Sequence, residues 1–361
     1  RQRPPTYQEI RAEGAPLPRT AALLARLYHQ QRGEWWRPTD RPGTHASAWP
    51  LFVGCGSSFY LAGYAASLHQ TWAHRPALAM PAGSFWLGEG SWRAYQPWLG
   101  SPVVVGITRS GTTTEVLRAL QEARALHLPT AVLTCAERSP VLDLADRSLV
   151  LPHVHEESVV MTQSFANMML ALEWTAAAAA GDDSAAILRA LAAVVTEPGS
   201  WLAAAEHFAQ THLNPTDQKF VYLGSGANQF LAHEAALKLK EMSGLACDAF
   251  VPLEFRHGPQ AIVDATTLLA LLPSSRPFPR EEELRLLREQ RDHGATTVVL
   301  GEFGAEPTPG LEPGSAPARP DELLLARHRA LAEAQLFALY TTVQRGGRPD
   351  RPRHLTRSVL L

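Results

Sequence analysis

Short, nearly continuous apolar runs alternate along this chain with longer segments of helical spacing. "WPLFVGCGSS" (49–58) reads as a strand entering a turn, and "FYLAGYAASLHQTWAH" (59–74) as a helix. "SPVVVGIT" (101–108) predicts another strand and "TEVLRALQEARALH" (114–127) another helix. "PTAVLTC" (129–135) and "RSLVLPHV" (147–154) add strands before the long helix of "SFANMMLALEWTAAAAA" (164–180). Strands that are apolar at successive positions belong to parallel sheets covered on both faces, with helices as the crossovers.

The pattern then begins again. "KFVYLGSGANQF" (219–230) echoes "WPLFVGCGSSFY" (49–60): an apolar strand, Gly-x-Gly, small polar residues, then a helix, here "LAHEAALKLKEMSG" (231–244). "TTLLALLPSSRP" (266–277) is a weaker echo of "SPVVVGITRSGT", and "ATTVVLG" (295–301) supplies one more strand. Such self-similarity predicts an α/β chain of two similar subdomains, each a parallel sheet flanked by helices and related by internal duplication. The expected organisation is a helical arm over 1–45, carried by the stripe of "TAALLARLYHQQ", then a first α/β domain over 46–183. Connecting helices follow over 184–215, then a second domain over 216–346 and a tail, 347–361, expected to lie over the active site. "EPTPGLEPGSAPARP" (306–320) reads as a Pro/Gly-rich surface loop.

Composition narrows the class. The 361 residues, 45% of them hydrophobic, suffice for two domains with cores of their own. With 33 Lys+Arg against 35 Asp+Glu and no dense basic stripe, nucleic acid is not an expected partner. No apolar run has the length of a membrane span, and no signal peptide opens the sequence, whose first residue is Arg1. Cys55, Cys135 and Cys247 are too scattered for a disulfide framework or a zinc site, which points to a reducing, cytoplasmic compartment. "HVHEE" (153–157) places His153 and His155 alternately on an expected strand without a further matched pair, so no metal is expected. No redox cofactor is implied either.

Two clusters carry candidate chemistry. The first is the turn after "PVVVGIT", where Thr108, Ser110, Thr112, Thr113 and Thr114 put five hydroxyls into seven positions just before a helix. Ser57 and Ser58 hold the equivalent place after the first strand. A helix N-terminus offers unpaired N–H donors and partial positive charge, which suits a phosphate. Any one of these hydroxyls can instead be a helix cap; the density of the cluster favours phosphate. It is neither a Walker A motif nor a dinucleotide fingerprint, since "GCGSS" lacks the third glycine. Cys55 in that turn reads as a small packed residue rather than a nucleophile, with no histidine base nearby in sequence.

The second cluster is "HEAALKLKEMSG", which sets Lys238 and Glu241 three apart on one helix face, with "LEFRHGP" (253–259) downstream bearing Glu254, Arg256 and His257. Taken singly, Lys238 with Glu241 is a solvated ion pair and His257 a plain loop histidine. Taken together, a carboxylate, a cation and a histidine are the parts needed to move a proton between adjacent sugar carbons.

"GCGSSFY", "TRSGTTTEV", "HEAALKLKEMS" and "EFRHGP" resemble the motifs of the sugar isomerase (SIS) domain proteins, notably the tandem isomerase half of glucosamine-6-phosphate synthase. "SVVMTQSFANM" (158–168), "FRHGPQAIVD" (255–264) and "AQLFALY" (334–340) look more like the branch of tagatose-6-phosphate ketose/aldose isomerases and aldosamine-6-phosphate deaminases. The resemblance covers nearly the whole chain from about residue 45.

It implies two flavodoxin-like SIS subdomains, a hexose or hexosamine 6-phosphate as substrate, and a homodimer with shared active sites. It implies that Ser58, Thr108, Ser110 and Thr113 hold the phosphate and that Arg109, where the synthase has glutamine, touches it directly. Glu241 matches the base acting between C1 and C2, Lys238 a lysine near the developing oxyanion, and His257 a ring-opening histidine supplied by the neighbouring subunit. Glu156 falls near a ligand-facing acidic position. Arg256 is a further substrate-binding candidate from its loop.

Arg357 stands where the synthase tail has a lysine, and arginine cannot serve as an amine nucleophile. The sequence contains no glutaminase part, so synthesis from glutamine is not expected of this chain alone. Loss of ammonia from an aldosamine phosphate is the favoured direction. A simple aldose/ketose isomerase, a deglycase of sugar–amine phosphates and a phosphosugar sensor are the alternatives. The retained Glu241 and His257 favour an enzyme over a sensor.

Overall fold

The computed structural model describes residues 4–12, 14–31, 35–37, 48–89, 92–181, 184–196, 198–301 and 320–360. The loop expected over 306–320 lies outside the described residues except for Pro320. In chain order the helices are α1 (Pro5–Ala12), α2 (Leu17–Gln31), α3 (Ser57–Thr71), α4 (Ala82–Trp86), α5 (Trp92–Leu99), α6 (Thr114–Ala125) and α7 (Gln163–Ala179). They continue with α8 (Ser184–Val195), α9 (Pro198–Thr211), α10 (Ala227–Ser243), α11 (Pro252–Phe255), α12 (Pro277–Asp292) and α13 (Pro320–Gln344). The strands are β1 (Pro50–Gly54), β2 (Leu78–Pro81), β3 (Val103–Thr108), β4 (Thr130–Thr134) and β5 (Arg147–Val150). The later strands are β6 (Lys219–Gly224), β7 (Cys247–Phe250), β8 (Thr267–Leu272) and β9 (Thr296–Val299).

The chain divides into two compact units. The first comprises residues 15–156, 163–188 and 356–361; the second comprises 1–14, 157–162 and 189–355. The expected N-terminal arm is thus divided between the units, and the last residues of the tail belong with the first unit.

The first unit holds a five-stranded, all-parallel sheet in the order β2-β1-β3-β4-β5, the flavodoxin-like arrangement. Every residue of β1, β3 and β4 is buried, as their continuous apolar runs require. One core cluster joins Leu51, Val53, Val104 and Val132 of the sheet to Phe85, Val116 and Leu120 of the helices.

The second unit repeats the scheme with a four-stranded parallel sheet in the order β7-β6-β8-β9. Matched strand for strand, this is the order of the first four strands of the first sheet. Val221, Leu223, Leu269 and Leu271 pack there with Phe255, Leu286 and Leu287.

The two Gly-x-Gly turns show the duplication at atomic detail. A Cβ on Gly54 would lie 2.4 Å from the Ser58 carbonyl oxygen, and one on Gly224 would lie 2.4 Å from that of Asn228. The second glycines, Gly56 and Gly226, adopt φ of 53° and 58° and are the N-caps of α3 and α10. Each helix therefore begins pressed against the end of its strand, a closeness that only glycine permits.

One sequence expectation is corrected here. His153 and His155 do not alternate on a strand, because β5 ends at Val150 and residues 152–153 form a turn. Pro152, lacking an N–H, cannot extend the ladder. His153 Nε2 instead lies 2.7 Å from the Thr20 hydroxyl.

Candidate functional site

In a sheet of this order, ligands bind beyond the carboxyl ends of the strands where the winding direction reverses. In the first unit that point lies between β1 and β3, which lead into Ser57 and Ser58 on one side and into residues 109–113 on the other. The hydroxyl-rich turn bends tightly. Gly111 has a φ of 69°, and a Cβ there would sit 2.2 Å from the Ser139 hydroxyl oxygen. The Gly111 N–H donates to the buried Thr108 hydroxyl (3.2 Å), so Thr108 braces the turn from beneath.

The helix-capping alternative fails at Thr113, the N-cap of α6, which makes no side-chain cap hydrogen bond. The hydroxyls of this turn serve another partner, the C-terminal tail. The oxygens of Ser110 and Thr112 lie 3.3 and 3.0 Å from the Ser358 hydroxyl, and the Thr114 N–H donates to the Val359 carbonyl (3.2 Å). The turn thus already gathers oxygen atoms with its hydroxyls and a helix N-terminal N–H.

Arg109 is buried beside this turn. Its Nη1 donates to Glu156 Oε2 at 2.9 Å and its Nη2 to the Arg357 carbonyl at 3.1 Å. Glu156 also accepts from the Ser164 hydroxyl and, at 3.4 Å, from the Ser164 N–H. These two bonds tie the turn to Glu156 and to the tail. Arg357 is at the surface, contributing its backbone rather than its guanidinium. The Cys55 thiol is pushed up to about 12, first by burial and then by the charge of Glu115, which disfavours a thiolate at neutral pH.

The second cluster lies in the second unit, on α10. Lys238 and Glu241 do share a face, but it is not solvated. Lys238 has no exposed side-chain surface, and its Nζ lies 2.5 Å from Glu241 Oε2 and 3.3 Å from Glu234 Oε1. Burial alone would lower the ammonium's pKa, yet the carboxylates of Glu234 and Glu241 outweigh it and hold the pKa raised. Glu241 keeps 18% of its side chain exposed, enough to meet a ligand, whereas Glu234 has none. Lys238 thus fixes the Glu241 carboxylate from behind.

The downstream loop is rigid at one residue and open at another. Arg256 grips Glu289 of α12 with two parallel hydrogen bonds, Nε at 2.8 Å and Nη2 at 2.9 Å, and so anchors its loop. His257, one residue on, is exposed, as is Glu254.

Sequence reasoning missed Glu283. It comes from α12 to the second sheet's own winding reversal, between β6 and β8, where it accepts from the Ser225 hydroxyl and the Ser274 N–H, both at 2.6 Å. Burial raises its pKa, opposed by those donors. An internal carboxylate thus sits on the turn that corresponds to the hydroxyl-rich one of the first unit. Its only signal in the sequence was one acidic residue among many in "PREEELRLLREQRD".

Known proteins align with this arrangement. The SIS domain pattern matches residues 51–178. A D-galactosamine-6-phosphate deaminase of Escherichia coli is 30% identical over 272 residues, which cover 69% of this chain and 67% of that protein. A glutamine–fructose-6-phosphate aminotransferase of Halobacterium salinarum is 30% identical over 320 residues, 85% of this chain and 51% of that one. The chain spans about half the length of the aminotransferases that it matches. The crystal structure of glucosamine-6-phosphate deaminase from Thermotoga maritima superposes with a TM-score of 0.78 at 26% identity, covering 99% of this chain and 100% of that one. With these matches, the duplicated flavodoxin-like sheets and the hydroxyl-rich turn at the first winding reversal, the chain belongs to the SIS-domain family, in its group of phosphosugar isomerases and deaminases.

Proposed function

We propose that this protein converts a hexosamine 6-phosphate and water into a ketose 6-phosphate and ammonia. The observation that carries the reading is the hydroxyl-rich turn, which leaves the N-terminus of α6 without a side-chain cap and already holds the tail's hydroxyl and carbonyl oxygens. Phosphate oxygens suit the same donors. Ser57, Ser58, Ser110 and Thr113 take the phosphate, with Thr108 and Arg109 shaping the turn.

Glu241 then acts as the base. It removes the proton from C2 of the open-chain aldosamine while the electron pair shifts toward the C1 carbonyl oxygen, and it returns the proton to C1. The C1 oxygen gains a proton as the nitrogen gives one up, so the product is a 1-hydroxyketimine with C2=NH. Water adds to that carbon, and collapse of the carbinolamine breaks the C–N bond and releases ammonia. Lys238 positions the carboxylate. His257 opens the sugar ring, and its exposure suits a role toward a second subunit of a homodimer. The reading places the enzyme in the cytoplasm, where such phosphates are made.

The test is to incubate the protein with glucosamine 6-phosphate and with galactosamine 6-phosphate, assaying ammonia and ketose phosphate together. The two products should appear in equal amounts from one of the sugars. Ketose or aldose interconversion without ammonia would replace the proposal with a simple isomerase, and tight binding without turnover would replace it with a sensor.

The phosphate assignment has its own check. Ser110→Ala combined with Thr113→Ala removes two donors and should weaken hexosamine 6-phosphate binding by about tenfold to a hundredfold, at roughly 1 kcal/mol or more for each lost hydrogen bond to a charged group. Unchanged affinity by calorimetry would move the phosphate elsewhere.

A further inference from the structure

The exposed His257 stands at the tip of a loop that is held on both sides. Before it, Phe255 is fully buried in the second unit's core, its ring centroid 5.5 Å from that of Phe250. After it, Gly258 takes a φ of 124°, which strains any residue that carries a Cβ, and a 3₁₀ turn begins over Pro259–Ile262. The His257 N–H donates to the Glu254 carbonyl (2.9 Å) and the Ala261 N–H to that of Gly258 (3.0 Å).

Side chains then close the loop. Gln260 Nε2 donates to the Arg256 carbonyl at 3.0 Å, which ties together the stretches flanking His257. The Arg256 guanidinium is held by Glu289, and Gln290, the next residue of α12, donates from Nε2 to Gln260 Oε1 at 3.2 Å. Consecutive residues of one helix thus grip the loop before and after the histidine. That helix is itself fixed, since Leu286 and Leu287 are buried in the core cluster. The hydrogen bonds from Arg256 are the first cause holding the Glu289 carboxyl below its ordinary pKa, so the pair stays ionised at neutral pH.

A surface loop containing glycine is ordinarily among the more mobile parts of a chain. The clamp does little for stability, because the side chains of Arg256 and Glu289 are 26% and 41% exposed and such pairs are screened by solvent. What it supplies is position: it fixes where an exposed imidazole is presented.

We infer that Glu289 and Gln290 are positioning residues for His257, acting through Arg256 and Gln260 in the ring-opening step. The inference rests on the role of His257 proposed above. Ring opening breaks the C1–O5 bond and moves one proton from the anomeric hydroxyl to O5, so an imidazole serving that transfer must lie within hydrogen-bond reach of both oxygens. A displacement of about 1 Å can cost on the order of 100-fold in rate. Once the ring is open the clamp has no further part.

Glu289→Ala tests this, with an unfolding midpoint expected near that of the wild type because the pair is half-exposed. Amide hydrogen exchange over residues 254–261 should quicken by about tenfold or more. The kcat/KM for the cyclic hexosamine 6-phosphate should fall by about tenfold to a hundredfold. Affinity for the corresponding open-chain alditol, 2-amino-2-deoxyhexitol 6-phosphate, should change by less than about twofold, since it needs no ring opening. Glu289→Gln, which keeps the shape and one acceptor for Arg256, should lose less than Glu289→Ala. Unchanged exchange in Glu289→Ala overturns the inference, as does unchanged kcat/KM beside quickened exchange. An equal loss of affinity for the alditol also overturns it, because the clamp would then support the site as a whole. Absence of turnover of either sugar by the wild type overturns the reading on which the inference rests, and the inference with it.

Discussion

Glu241→Gln should lower kcat by about 10²- to 10⁴-fold, the usual contribution of a positioned general base, while the affinity for hexosamine 6-phosphate changes by less than about threefold. The amide preserves the shape of the side chain and can still accept from Lys238, whose Nζ lies 2.5 Å from the present carboxylate. It cannot take a proton from carbon. In the proposed reading, binding rests on the first unit's turn, through residues that the substitution does not replace. The measurement is steady-state turnover of the active sugar beside a calorimetric titration of the variant. A variant retaining more than a few per cent of wild-type kcat would show that another group moves the proton. Loss of affinity in parallel with turnover would make Glu241 a binding residue instead.

The hydroxyl-rich turn was legible because its chemistry is a matter of side-chain type crowded into a short window. The parallel sheets were legible too, since β1, β3, β4, β6 and β8 are almost wholly buried and carry unbroken apolar runs. Two short strands were not. β2 and β7 have four residues each, too few for a period to show, and neither is wholly buried. The contacts of the tail were hidden for another reason. Two of them run through the carbonyls of Arg357 and Val359, and a backbone carbonyl carries no mark of its residue. α12 escaped notice because its charges outnumber the leucines that it buries, and with it went Glu283.

Lys238 shows the limit most sharply. An i, i+3 pair of lysine and glutamate reads as a surface ion pair worth a few tenths of a kcal/mol. What alters its meaning is Glu234 one turn earlier, together with the burial of Leu231, Ala235, Leu239 and Met242 around it. The helix is enclosed on more sides than its mixed composition suggests, and the ammonium group ends in the interior between two carboxylates.

That burial sets the largest expected effect on stability. Lys238→Met should destabilise the fold by about 3–5 kcal/mol at pH 7, because removing one member of a buried charge cluster leaves the others uncompensated. Glu234, with no exposed side-chain surface, bears most of the cost. The pH dependence follows from the direction of the lysine's shift. Its folded pKa is raised above the unfolded value, so its stabilising contribution is fully present below about pH 10.4 and disappears as pH rises through the folded value. The gap between wild type and variant in urea unfolding should therefore be constant from pH 7 to about pH 9 and narrow at strongly alkaline pH. At acid pH it should narrow as well, once the uncompensated carboxylates of the variant take up protons. Adding Glu234→Gln to Lys238→Met should recover part of the lost stability, since it removes a buried charge at nearly constant shape. It should not restore turnover, because Glu241 would still lack the ammonium that orients it. If Lys238→Met unfolds at the same urea concentration as the wild type, the cluster is not stabilised by its charges. If instead the double variant recovers turnover along with stability, Lys238 has no part in positioning the base.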